Sequence, residues 1–257
     1  MPRHILCLLA CATSISSCLL DTNGLTGGGD CPGRAGPKGV RIGTGADSFC
    51  IDSTEVTNEQ YRAYLQATGG VPSGMPGVCT FKTTHLPPSP GWPPADSHLS
   101  DPVASVDWCD ALAYCLWAGK TLCGKPRGGA HATADMNEPQ KSAWFHACSK
   151  NGERSHPYGV EYDGGACNGE GSSASAGVGT FASCEGGYSG LFDMSGNLEE
   201  WTDSCESDAT GADDGCLARG GNFDSTSSEL LRCAASSSAL QYRKLREPWR
   251  GFRCCGS

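Results

Sequence analysis

Residues 190–202 read Gly190-Leu191-Phe192-Asp193-Met194-Ser195-Gly196-Asn197-Leu198-Glu199-Glu200-Trp201-Thr202. Within eight residues this stretch sets two carboxylates, Asp193 and Glu200, on either side of a tight Ser195-Gly196 turn. Calcium takes about six to eight oxygens from carboxylates and carbonyls, and a tight turn can aim carbonyls inward. The same residues also describe an ordinary turn capped by Asp193, with Glu200 in solvent. Taken alone, they leave both readings open.

Working outward, the flanks are irregular. Residues 159–190 are Gly- and Ser-rich and read as loop. Short strands are expected at Val40 to Ile42, Phe49 to Ile51, Leu217 to Phe223 and Arg250 to Cys254. A first helix is expected over Thr54 to Thr68, with Thr57 and Gln60 as a capping box and Tyr61, Tyr64 and Leu65 on one face. A second runs from Asp107, its cap, to Trp117, with Trp108, Leu112, Cys115 and Leu116 on its apolar side. A third, over Asn137 to Ser149, places Pro139 in its first turn. Residues 86–96 are Pro-rich and can only be loop. Early helices, long loops and scattered short strands predict an α+β class low in regular structure.

The chain has 257 residues and a formal net charge of −9. That balance excludes nucleic acid as a partner, because phosphate binding needs clustered Lys and Arg. The 17 cysteines are the informative count. So many cysteines suit an oxidising compartment. Residues 1–17 have the layout of a secretory signal peptide: a short basic start, an apolar run from Ile5 to Ala12, then small residues. Ile15-Ser16-Ser17-Cys18 resembles a bacterial lipobox, which makes Cys18 the expected lipidation site. Leu19 after that cysteine resembles sorting to the outer membrane or cell surface; cleavage without lipid would instead give a secreted protein. Residues 18–30, rich in Gly, are the expected lipidated tether, and 31–257 the domain. Removing Cys7 and Cys11 with the leader and Cys18 to lipid leaves fourteen cysteines, an even number. Proximity in sequence suggests Cys167 with Cys184 and Cys205 with Cys216.

Several segments resemble the formylglycine-generating enzyme (sulfatase-modifying factor) family. They are Phe49-Cys50-Ile51-Asp52 with Thr54 to Asn58, Val106-Asp107-Trp108 with Asp110 to Lys120, residues 190–202, Arg219-Gly220-Gly221, and Gly251-Phe252-Arg253-Cys254. The matches keep the family's order across most of 40–255. The resemblance implies a C-type-lectin-like fold, rich in disulfides. It implies calcium at Asp193, Glu200 and the carbonyls of Gly196 and Leu198; the family's second calcium position falls near Asn168 and Gly169, where this sequence is shorter and shows no clear matching Asp. It implies bridges Cys115–Cys254 and Cys148–Cys233. Of the remaining six cysteines, Cys79 with Cys109, Cys50 with Cys255 and Cys31 with Cys123 are the expected pairs.

The resemblance fails at the family's copper-binding cysteine pair. These positions fall near Ser225 and Leu230, Asn222 replaces a serine, and Glu199 sits where an aromatic is common. A hydroxyl cannot replace a thiolate as copper(I) ligand. His85, His98, His131, His146 and His156 show no metal-binding spacing, and Ser225 lies in no G-x-S-x-G elbow. The expectation is a monomeric, exported binding or structural module without copper, joined to membrane by its lipid and facing a protein, peptide or glycan ligand. The alternative is a divergent formylglycine-generating oxidoreductase acting on a cysteine of sulfatase-type substrates.

Overall fold

The structure is a computed structural model that describes residues 31–256 except 32, 46–47, 90 and 235–239. The expected leader, Cys18 and tether lie outside the described residues. In chain order the elements are β1 (Gly39–Ile42), β2 (Phe49–Asp52), α1 (Asn58–Thr68), α2 (Trp108–Trp117), β3 (Thr121–Leu122), α3 (Ala143–Ser149), β4 (Glu199–Cys205), β5 (Gly215–Arg219), β6 (Leu240–Tyr242), β7 (Arg250–Phe252) and β8 (Cys254–Gly256). Single-turn 3-10 segments punctuate the long loops. One antiparallel sheet has the order β1-β2-β8-β3, the other the order β6-β5-β4-β7. In the second sheet, β7 runs parallel to β4.

Local chemistry sets the helix ends. Thr57 Oγ1 accepts from Gln60 N–H at 3.3 Å and Gln60 Oε1 accepts from Thr57 N–H at 2.9 Å. This reciprocal box starts α1 at Asn58, not at Thr54. Residues before it cannot join the helix, because Val56 N–H donates to Phe252 O and Val56 O accepts from Val103 N–H. Asp107 and Asp110 form the equivalent box on α2. There Tyr114 is buried, while Leu116, expected on the apolar side, is 49% exposed. The third helix begins at Ala143, not Asn137. Ser142 caps it, and Pro139 lies before it, where its carbonyl accepts from the His146 ring. The strand expected over 217–223 stops at Arg219, since Gly220 and Gly221 take φ of 95° and 67°.

Among the described residues, a small apolar cluster lies around Ala166, Cys167 and Cys184, and two large ones hold these elements together. Tyr61, Tyr114, Trp201 and Phe252 belong to one, in which α1 and α2 pack on the second sheet. Tyr61 stacks on Tyr114 with centroids 5.8 Å apart. Ile42, Phe49, Trp144 and Met194 belong to the other, between the first sheet and α3.

Seven disulfides join Cys31–Cys50, Cys79–Cys109, Cys115–Cys254, Cys123–Cys255, Cys148–Cys233, Cys167–Cys184 and Cys205–Cys216. The expected partners of Cys50 and Cys255 require correction. In the β2–β8 register Cys255 lies opposite Ile51, and Cys50 opposite Gly256. Successive residues of a strand point to opposite faces, so Cys50 and Cys255 face away from each other. Cys50 therefore bonds Cys31, and Cys255 reaches Cys123 just beyond β3.

Candidate functional site

The 190–202 stretch folds as a turn feeding β4. Asp193, Gly196 and Asn197 all adopt left-handed backbone, with φ of 59°, 74° and 56°. Gly196 is demanded by space as well: a Cβ there would lie 2.3 Å from the Asn168 carbonyl oxygen. That carbonyl accepts from Asn197 N–H at 2.7 Å. Asn197 Oδ1 in turn accepts from Asn168 Nδ2 and Ala176 N–H. The family's second calcium position thus holds a hydrogen-bonded Asn168, with Gly169 packed against Leu231.

Behind the turn lies a buried charge centre. Glu200 is 1% exposed and Arg253 fully buried. Arg253 Nη2 donates to Glu200 Oε1 at 2.7 Å, and its Nε lies 2.9 and 2.8 Å from the two carboxylate oxygens. Trp144 Nε1 donates to Glu200 Oε2 at 2.7 Å. The remaining guanidinium donors reach the carbonyls of Asp52, Phe192 and Asp193. Arg253 interrupts β7 and β8 to make these bonds, which is why the strand expected over 250–254 is split. Glu200 is therefore paired and buried, not in solvent.

Two further carboxylates share the centre. Glu55 reaches across the fold to accept from Leu198 N–H at 3.1 Å and Asn197 Nδ2 at 3.3 Å. Asp193 Oδ2 accepts from Gly179 N–H at 2.6 Å. Burial first, then the charges of Asp193 and Glu200, push the Glu55 carboxyl well above its usual range. Burial likewise raises Asp193, against the Gly179 hydrogen bond and the Arg253 charge. Asp52 is separately matched by Lys120, 2.5 Å away. Glu55, Asp193 and Glu200 thus share the charge of Arg253, and the buried Arg219 guanidinium also acts on Glu200.

Carboxylate and carbonyl oxygens are the ligands that a hard divalent cation takes. Among the described residues, no group of three or more His, Cys, Asp or Glu is placed to hold a metal by itself. A cation here would depend on backbone carbonyls beside Asp193, as the family pattern at Gly196 and Leu198 implies. Glu55 and Arg253 were not expected at this site. Their only signal was membership of the Thr54-Glu55-Val56-Thr57 and Gly251-Phe252-Arg253-Cys254 segments.

The positions of the family's cysteine pair also come together. A Cβ on Gly221 would lie 2.6 Å from Leu230 O and 2.9 Å from Ser225 Oγ. Ser225 is buried, and its Oγ accepts from Asn222 N–H at 2.9 Å. Leu230 is 52% exposed. All fourteen cysteines of the described residues are disulfide-bonded. No thiolate is left there to ligate copper(I), so copper does not fit. Glu199, in the usual aromatic position, pairs with Arg250 at 2.8 Å.

Residues 38–257 match the sulfatase-modifying factor enzyme 1-like domain. The chain belongs to this family. Two curated relatives, both named formylglycine-generating enzyme, come from Thermomonospora curvata and Mus musculus. The first is 27% identical over 182 residues, covering 60% of this chain and 58% of the relative. The second is 25% identical over 200 residues, covering 61% and 49%. The chain thus spans about half the length of the curated relatives it matches. PvdO from Pseudomonas aeruginosa superposes with a TM-score of 0.54 at 21% identity, covering 91% of this chain and 90% of that one. CarF gives 0.53 at 20%, covering 81% and 86%. Treponema denticola variable protein 1 gives 0.51 at 18%, covering 81% and 84%. These similarities establish the shared fold.

Proposed function

We propose that this sulfatase-modifying-factor-like chain is a non-oxidase binding or structural module, exported to the cell envelope and held there by lipid on Cys18. One observation carries the reading: the family's thiolate positions hold Ser225 and Leu230, while every cysteine of the described residues is in a disulfide. Seven bridges are a design for an oxidising compartment, where they fix loops that little regular structure supports. Calcium held at Asp193 and the Gly196 and Leu198 carbonyls, beside Glu200, would stiffen the turn. Its role there is structural.

The direct test is to incubate the purified protein with copper(I), oxygen and a Cys-x-Pro-x-Arg peptide, and to weigh the peptide by mass spectrometry. No change in mass is expected. A loss matching formylglycine establishes the oxidoreductase alternative and ends the module reading.

A further inference from the structure

A cleft of about 350 Å³ opens between Pro87, Trp92, His98, Ser105, Ser175 and Pro248. It is separate from the buried charge centre, and its size falls within the range of small-molecule sites. Each wall is fastened from behind. Asn58 N–H and Glu59 N–H, the first amides of α1, donate to Asp101 O and Leu99 O at 2.9 and 3.0 Å. The loop thus supplies the acceptors a helix start needs. Asn58 Nδ2 holds His98 O at 2.9 Å. Ser105, with φ of 56°, donates its N–H to Glu247 O, which places Pro248. Next to Ser175, Ala176 N–H donates to Asn197 Oδ1. Six of the lining residues are prolines, so the cleft surrenders little backbone freedom on binding.

The lining chemistry narrows the ligand. Trp92 is partly exposed and packs edge-on against Tyr61, with centroids 5.9 Å apart. His98 is 62% exposed at its side chain, and Asp101 Oδ2 fixes its Nδ1 at 2.6 Å. That contact leaves Nε2 as the ring's second polar atom. Among the described residues no Lys or Arg lines the cleft, and Asp101, the one carboxylate among them, is already paired. The described lining thus offers no Lys or Arg charge to a phosphate, sulfate or carboxylate. Among the described residues no strand borders the cleft, so the described lining gives a peptide no sheet edge to add to.

An indole and proline rings offer flat apolar surface. His98, Asn58, Ser105 and Ser175 offer polar groups for hydrogen bonding. That pairing complements a ring with C–H faces and hydroxyl edges. We infer that this cleft binds a neutral saccharide, with Trp92 against its face and His98 on a hydroxyl. The assignment rests on the binding-module reading and gives that module its ligand class.

Saturation-transfer NMR on the full protein, with glucose, galactose, mannose, N-acetylglucosamine and their β-1,4-linked disaccharides, tests it. At least one sugar is expected to receive transfer to its ring protons. His98→Gln, at an exposed side chain, is expected to weaken that sugar about five- to tenfold, the size of one lost hydrogen bond. Trp92→Phe is expected to weaken it too, and circular dichroism checks that this variant stays folded. Silence from every sugar overturns the inference. So does sugar binding indifferent to both variants, or capture of a proline-rich peptide in place of sugar. A protein that is inactive on the Cys-x-Pro-x-Arg peptide and binds no sugar keeps the module reading and loses only this one. Formylglycine formation removes the module reading whatever the sugar result.

Discussion

Arg253 and Glu200 form a fully enclosed ion pair, 2.7 Å between Nη2 and Oε1, at the point where β7, β8 and the 190–202 turn meet. The pair couples the two sheets, since Glu200 belongs to β4 and Arg253 links β7 to β8. Breaking one side of such a pair strands the other charge in a medium that cannot solvate it.

Glu200→Gln should therefore cost about 3–5 kcal/mol. The guanidinium would lose its counter-charge, and Trp144 Nε1 its charged acceptor. Denaturant unfolding with the disulfides kept oxidised measures this. A midpoint within error of wild type would show that the pair contributes nothing to stability.

Calcium should raise the melting temperature, because a ligand that binds only the folded state stabilises it by mass action. At about 100 times Kd the gain is roughly 2.7 kcal/mol, or about 5 °C and more for a domain of this size. A chelator should reverse it, and Asp193→Ala should abolish it. Identical melting curves with calcium and with chelator would remove calcium from the proposal.

The bridges should differ in value. Cys115–Cys254 spans 139 residues and Cys205–Cys216 only 11. On the chain-entropy account the long loop is worth about 5 kcal/mol and the short one about 3. Replacing each pair with alanines and comparing unfolding free energies tests that order; the reverse order would point to native-state packing as the controlling factor.

Asp203 should make stability depend on pH. Burial first, then the Asp208 charge, push its carboxyl up to about 6, against Arg243 and Lys125. The folded protein therefore holds this proton more tightly than the unfolded chain does. Its contribution is fully present below about pH 4 and is lost as pH rises through about 6. Allowing for partial solvent exposure, the loss is on the order of 1–2 kcal/mol. Asp203→Asn should match wild type near pH 3.5 and exceed it by that amount at pH 7. Parallel stability curves across that range would refute the assignment.

Much of the architecture was legible in local chemistry. The Thr57/Gln60 box, the Asp107 cap and the cysteine abundance each act within a few residues or through composition. The start of the third helix was not legible, because Pro139 is compatible with a first turn and only the hydrogen bond that Ser142 Oγ accepts from Phe145 N–H sets the start at Ala143. The candidate site was half legible. Asp193 and Glu200 stand seven residues apart in the sequence, whereas Glu55 joins them from 138 residues upstream of Asp193.

By itself the sequence determined the family, the α+β class, the loss of the cysteine pair at Ser225 and Leu230, and an even set of fourteen cysteines. These follow from residue identity and short-range spacing. Tertiary structure alone decided that Cys50 turns from Cys255 to Cys31, because strand register sets which face a side chain takes. It alone decided that Glu200 faces Arg253, not solvent, and that Glu55 is the third buried carboxylate. Charges are matched by distance in space, and no local pattern reports which distant segment will supply the partner.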